Sequence, residues 1–231
     1  MLFDIDGTLV LTGGAGGRAM SRAFEELFGI AGAFASIQMP GRTDSWLLAT
    51  ALDAHGIPRT DPRAGMFRDV YVRYLTDELE QPPPAGSAKG VLPGVRQLLE
   101  ALIARRSEYV GLLTGNFKVT ARMKLEYFDL WRYFGGGAFG DESPDRNSLL
   151  AKALASVAES GGPAATPVST VVIGDTPLDV AVAKQGGARS IAVATGSHGI
   201  PELRATGADV VFGDLSDTRG VLRMIVADYR D

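Results

Sequence analysis

The run VSTVVIGD, from Val168 to Asp175, is β-branched and carries no charge until its last residue. A strand of that kind is buried on both faces, and the usual way to cover both faces is a parallel sheet with helices packed on each side. The sequence around it supplies such helices. After Pro93, helical spacing over Val95–Ala104 leads to a strand-like Tyr109–Leu113 and then a helix from Lys118 to Tyr127. A short apolar segment at Ala138–Phe139, a helix over Ser148–Ala158, the Val168 strand and a helix at Val180–Lys184 follow. A strand at Ser190–Ala194, a short one at Asp209–Phe212 and a final helix close the series. Leu2–Ile5 reads as a first strand clipped at its start, so Met1 need not be the native first residue. Strands alternating with helices require right-handed crossovers, which predicts a doubly wound parallel-sheet α/β core.

One long stretch breaks the alternation. Between Gly13 and Glu80, apolar residues such as Ala19, Ala23, Phe24 and Leu27, then Trp46, Leu47 and Ala51, then Met66, Val70 and Tyr74, recur at helical spacing. No convincing strand interrupts them, and QPPPAGSAKG after Glu80 reads as a linker. The expected organisation is a core of residues 1–12 and 88–231, with residues 13–87 as an inserted helical domain.

Several function classes are disfavoured. The chain lacks cysteine, which removes disulfides, thiolate nucleophiles and cysteine-ligated zinc. With a net charge of −4 and no basic run, nucleic acid is a poor fit as partner. No apolar run is long enough to span a membrane and no secretory pattern opens the chain, so no membrane partner and a cytoplasmic location are expected. GAGGRA, Gly14–Ala19, matches a loose dinucleotide-binding pattern but follows an acidic turn rather than a strand. His55 and His198 have no GxSxG partner and read as surface or packing residues.

In open α/β sheets ligands bind beyond the carboxyl ends of the strands. Those ends carry Asp4 and Asp6, then Thr114-Gly115-Asn116, then Arg146 in DESPDRN, then Asp175 and Asp179 in GDTPLD. A single acid there could be a helix N-cap. Four on one rim repel one another unless a cation lies among them, and oxygen donors of this kind suit Mg²⁺.

These stretches, DIDGTLV, TGN, the arginine of DRN and GDTPLD, resemble the four ordered motifs of the haloacid dehalogenase superfamily, and the helical insertion resembles its C1 cap. In style the chain is similar to the phosphoglycolate-phosphatase-like members. The resemblance implies a Mg²⁺-dependent phosphomonoester hydrolase acting on a small phosphorylated metabolite, as monomer or homodimer. By that analogy Asp4 is the nucleophile and forms an aspartyl phosphate, while Asp6 protonates the leaving alkoxide and later activates water. Thr114, Gly115, Asn116 and Arg146 would bind phosphate, and Asp4, the main chain of Asp6, and Asp175 would hold the metal. Gly7 lets the chain pass close to the phosphate, Thr8 is a supporting turn hydroxyl, and Asp179 would orient Arg146 or a metal-bound water.

The third motif of the family usually carries a lysine; here Arg146 is the better-spaced cation and Lys152 its rival. Asp6 disfavours a dehalogenase, since halide departure needs no proton donor. The absence of lysine between Gly13 and Glu80 disfavours a Schiff-base phosphonatase. A phosphosugar mutase and a noncatalytic binding module remain as alternatives. In the insertion, Arg42 of GRTD is a candidate contact for a second anionic group, or part of a plain turn with Thr43 or Asp44 as N-cap; Arg18 is a weaker candidate.

Overall fold

The computed structural model of the chain describes residues 1–105 and 108–226. Residues 106–107 and 227–231, which the sequence reading assigns to the core, lie outside the described residues. Six parallel strands form the central sheet: β1 (Leu2–Phe3), β4 (Gly111–Leu113), β5 (Gly137–Ala138), β6 (Val171–Gly174), β7 (Arg189–Val193) and β8 (Val210–Phe212). Their spatial order is β5-β4-β1-β6-β7-β8, so the first strand lies in the middle of the sheet. The doubly wound α/β expectation is met.

Alternation along the central strands divides the core. Phe3, Leu112 and Ile173 point to one face, where α4 (Val95–Arg105), α5 (Lys118–Tyr127) and α9 (Thr218–Val226) supply Leu98, Leu99, Leu125 and Val221. Leu2, Leu113 and Val172 point to the other, against Leu150 and Ala153 of α6 (Leu149–Glu159) and Val182 of α7 (Pro177–Gly186). Successive residues of a strand face opposite ways, so both faces are apolar. Farther along the sheet, Leu203 of α8 (Ile200–Ala205) packs on Ala192.

The strands are shorter than their sequence suggests, for local reasons. Asp4 still donates its amide to Ile173, but the Ile5 carbonyl then accepts the amides of Thr8, Leu9 and Val10, and this turn ends β1. Val168 is 80% exposed and lies ahead of β6. Thr166, Ser169 and Thr170 bond locally there, through hydroxyls that compete with the ladder. Helix α7 starts earlier than expected because Pro177 occupies its first turn, where a missing N–H costs nothing.

A two-stranded ribbon went unread in the sequence. β2 (Val10–Thr12) pairs antiparallel with β3 (Lys89–Val91), with Leu11 opposite Gly90. The QPPPAGSAKG stretch is therefore not linker throughout, since its last two residues are strand. GAGGRA does follow a strand, β2, but an antiparallel one, and its helix leads into other helices rather than a parallel strand. The chain between the two ribbon strands forms α1 (Ala15–Phe28), α2 (Asp44–Ala54) and α3 (Pro62–Glu80) around their own apolar cluster of Phe24, Leu47, Phe67, Tyr71 and Leu75. Phe117 from the sheet layer joins that cluster. No helix of the described residues is long and apolar enough to cross a membrane.

Candidate active site

The connections from β1 and β6 run to opposite sides of the sheet, which opens a crevice beyond their carboxyl ends. Asp4 leaves β1 on one side of that crevice and Asp175 leaves β6 on the other. Carboxylate oxygens of Asp4, Asp175 and Asp179 all lie within 4.8 Å of one another, and all three residues are buried. Against these three acids stands one guanidinium among the described residues. Arg146 Nη2 lies 2.5 Å from Asp179 Oδ1 and 3.3 Å from Asp4 Oδ1. Its Nη1 donates to the Gly41 carbonyl at 2.8 Å, and its Nε is buried with no hydrogen-bond partner among the described residues.

The charge balance shows in the pKa values. Burial pushes the Asp175 carboxyl up to about 8, with Asp179 and Asp4 adding to the shift. Burial likewise raises Asp4, to about 6, although Arg146 opposes it. Burial by itself would lower Arg146, yet the Asp179 and Asp4 charges hold it above the ordinary guanidinium range. Carboxylates left this short of positive charge, with hard oxygen donors, could hold a small divalent cation.

Each acid is oriented by its neighbours. Asp175 Oδ1 accepts the Thr8 hydroxyl at 3.0 Å. A Cβ on Gly7 (φ 81°) would come within 2.4 Å of Asp175 Oδ2, and one on Gly196 within 1.7 Å, so glycine at both leaves that oxygen its space. Asp179 spends Oδ2 on the Thr176 amide and hydroxyl and Oδ1 on Arg146. Its place is beneath the arginine, as a brace. Thr195, just past β7, donates its hydroxyl to the Gly7 carbonyl at 2.5 Å.

The Asp6 carboxylate stands apart from the acid cluster. Its Oδ2 accepts from Asn116 Nδ2 at 2.9 Å and from Lys124 Nζ at 2.6 Å. Lys124 also donates to Asn116 Oδ1 at 2.6 Å, and Asn116 bonds the Thr114 hydroxyl. The acid after β1, the loop after β4 and the inner face of α5 are thereby one network.

The helical layer closes over the site through GRTDS, residues 41–45. Thr43 caps α2 by accepting the Trp46 amide, as the plain-turn alternative has it, and donates to the Pro144 carbonyl. The Asp44 amide donates to the Gly115 carbonyl, its carboxylate accepts the Phe117 amide, and Ser45 donates to the Gly140 carbonyl. Asp44 is raised to about 6 by burial, with Lys124 opposing. A cavity of about 790 Å³ lies between the layers, lined by Asp4, Asp6, Gly115, Asn116, Arg146 and Asp175 on the sheet side. Met20, Met39, Arg42, Leu47 and Tyr71 line the other side.

The structure thus gathers Asp4, Asp6, Gly7, Gly115, Asn116, Arg146 and Asp175 at one cavity. Thr114, Thr8 and Asp179 sit just behind it. Arg42 reaches the wall with its guanidinium over the Trp46 ring, 4.3 Å from the centroid. Lys152 does not line the cavity. Arg18 is engaged by Glu78 at 2.7 Å and the Gly13 carbonyl at 2.6 Å. Lys124 and Thr195 escaped the sequence reading, and Asp44, read there only as an alternative N-cap, instead accepts the Phe117 amide. Lys124 had left a signal: Thr120, Ala121, Lys124 and Leu125 form the buried stripe of α5, and a lysine on such a stripe needs a partner.

Comparison with known proteins places the chain in a family. The family model described as haloacid dehalogenase-like hydrolase matches residues 1–184. A phosphoglycolate phosphatase of Rhodospirillum rubrum is 30% identical over 222 residues, covering 94% of this chain and 87% of that protein. A probable phosphatase of Dickeya dadantii, IndB, is 26% identical over 98% of this chain and 94% of its own length. The crystal structure of a hydrolase from Pseudomonas syringae superposes with a TM-score of 0.73 at 24% identity, covering 97% of each chain. With its ordered strand-end motifs gathered at one crevice, the chain belongs to the haloacid dehalogenase-like hydrolases.

Proposed function

We propose that the chain is a Mg²⁺-dependent phosphomonoester hydrolase that works through an aspartyl phosphate on Asp4. The observation that carries this reading is the convergence of Asp4, Asp6 and Asp175 on one cavity whose buried arginine keeps an Nε with no partner among the described residues. Phosphoryl transfer asks a protein mainly for position and charge. An Asp4 carboxylate oxygen attacks phosphorus, the bond to the leaving oxygen breaks, and that oxygen takes a proton from Asp6. Asp6 then removes a proton from the water that attacks the aspartyl phosphate, which frees Asp4 and inorganic phosphate. Arg146 and the amides of Gly115 and Asn116 bind the equatorial oxygens as charge spreads onto them. Asp4 and Asp175, with the Asp6 carbonyl, are the residues that would hold Mg²⁺, and the ion would supply the charge that lets a dianion approach these acids.

Residues 13–87 act in this reading as a cap domain on a core of residues 1–12 and 88–231, a lid over the reacting groups. The paired β2 and β3 at both ends of the segment and its separate apolar cluster support it. The phosphoglycolate phosphatase of Rhodospirillum rubrum makes a small phosphorylated acid the first substrate to try, with Arg42 as the cap contact for its carboxylate. The test is phosphate release from phosphoglycolate, sugar phosphates, nucleoside monophosphates and p-nitrophenyl phosphate, each with Mg²⁺ or EDTA. Mg²⁺-dependent release from at least one ester is the expected result. Conversion of a sugar phosphate without release would favour a mutase, and silence from well-folded protein a binding role.

The acid cluster also predicts a pH-linked response to metal. Asp4 and Asp175 have folded pKa values above the ordinary aspartate value. The native state therefore holds more protons at these two groups than the unfolded chain does. Their contribution to stability without metal falls as pH rises from about 4 to about 8. Mg²⁺ must displace those protons at low pH but not at high pH. The rise in Tm on adding Mg²⁺ should be small near pH 5 and largest near pH 8. Scanning fluorimetry with Mg²⁺ or EDTA reads it, and a gain that shrinks with pH would contradict the assignment.

A further inference from the structure

Lys124 is 3% exposed, on the inner face of α5, and 118 residues from the acid that it pairs with. A buried ammonium is costly unless its partners are well placed, and an apolar residue would pack as well beside Ala121 and Leu125. Its surroundings are built to keep it. A Cβ on Gly16, in the first turn of α1, would lie 3.2 Å from Lys124 Nζ and 3.4 Å from the Tyr71 hydroxyl. Glycine there leaves the ammonium its room. Two donors, Lys124 Nζ and Asn116 Nδ2, converge on the same oxygen of Asp6, Oδ2. Oδ1 accepts no hydrogen bond among the described residues, and the Asp6 side chain is 44% exposed where it borders the cavity.

We propose that Lys124 is the positioning residue for Asp6: by pinning Oδ2 together with Asn116, it reserves Oδ1 as the oxygen that gives and takes the proton. The proposal rests on the phosphatase reading. In the first step the proton on Oδ1 passes to the leaving oxygen as its bond to phosphorus breaks; in the second, Oδ1 takes a proton from the attacking water. A carboxyl free to rotate would offer either oxygen in several directions, and proton transfer needs hydrogen-bond reach and alignment. Lys124 does not touch substrate in this scheme.

The dependence on leaving group tests it. An alkoxide needs its proton in the transition state, whereas p-nitrophenolate departs well without one. Lys124→Met should lower kcat/KM for the best alkyl ester on the order of 10²-fold, within the range of general acid–base catalysis. The loss on p-nitrophenyl phosphate should be less than about tenfold, since only the proton-transfer contribution is removed. The inhibition constant of inorganic phosphate should not change. Asp6→Asn should show the same ester dependence, and the double variant should be no worse than Asp6→Asn alone, since the two act as a unit.

Equal losses on both esters would overturn the proposal in favour of a structural role. Weakened phosphate inhibition would make Lys124 a phosphate ligand instead, and additive losses in the double variant would deny the coupling. Should Lys124→Met fail to fold, Lys124→Gln keeps a polar donor without the charge and should show the same ester dependence, while Gly16→Ala, which only nudges the ammonium, should show a smaller loss with that dependence. Wild-type protein that cleaves neither ester with Mg²⁺ counts against the phosphatase reading, whereas uniform losses in an active enzyme count against Lys124 alone.

Discussion

Asp4→Asn should release no measurable phosphate from any ester that the wild type cleaves, a loss on the order of 10⁴-fold or more, because the variant lacks the oxygen proposed as nucleophile. The substitution keeps the shape of the side chain and removes only its charge and nucleophilic oxygen. It should therefore not unfold the protein. Asp4 is buried beside Asp175 and Asp179, and all three compete for Arg146. Neutralising one of them relieves repulsion, so the variant's Tm in EDTA near pH 8 should equal or exceed that of the wild type. An acid quench of wild type during turnover, followed by mass measurement, should find one phosphoryl group on the peptide bearing Asp4, and none in the variant. Retained activity in Asp4→Asn, or a phosphoryl group on another residue, would remove the covalent mechanism.

Arg146→Met should be nearly as severe, and for two separable reasons. The guanidinium is the one cation that contacts the acid cluster among the described residues, bonding Asp179 and approaching Asp4. Losing a fixed donor aimed at developing charge costs on the order of 10²–10³-fold in kcat. The second effect is on stability. Removing one partner of a buried charge cluster leaves the other charges uncompensated, at about 3–5 kcal/mol. For a protein of this size that corresponds to roughly 10 °C in Tm, measured in EDTA. Mg²⁺ should recover part of the stability and little of the turnover, because a metal balances charge without replacing the donor. Lys152→Met, the rival cation, should leave both quantities near wild type, since Lys152 does not line the cavity. If Lys152→Met were the damaging variant, the third-motif role would pass to it.

The two variants also probe different parts of the fold. Asp4 belongs to the sheet alone. Arg146 donates to the Gly41 carbonyl as well, and so ties the GRTDS segment to the acid cluster. The same segment holds the loop after β4 through Asp44 and Gly115. The helical layer therefore contacts two of the strand-end loops from which phosphate would be bound, and a loss at Arg146 should loosen that layer more than a loss at Asp4.

The residues at the strand ends were legible in the chain because the code that places them is local. An apolar β-branched run marks a strand, its last residue marks the rim, and right-handed crossovers bring successive rims to the same edge. That reasoning reaches Asp4, Asp6, Gly115, Asn116 and Asp175 without a structure. Spacing ranks Arg146 ahead of Lys152 but leaves both open, and the buried contact with Asp179 is what distinguishes them chemically. Strand lengths were less legible, since Thr166, Ser169 and Thr170 trade ladder bonds for local ones. The β2–β3 ribbon escaped notice because three-residue strands, one of them Lys-Gly-Val, carry no readable alternation.

Tertiary structure alone decided which helix faces meet the rim. Nothing near Lys124 in sequence names Asp6 as its partner, and nothing near Asp44 names the amide of Phe117. A side chain on a helix gains its role from whatever the fold packs against that face, and those contacts span 118 and 73 residues. The sequence by itself determined the sheet and the acids on its rim, through periodicity and short-range turns. Only the packing of α1, α2 and α5 across the crevice determined how those acids are held, because burial and pairing of charge are properties of the folded contact and not of the segment.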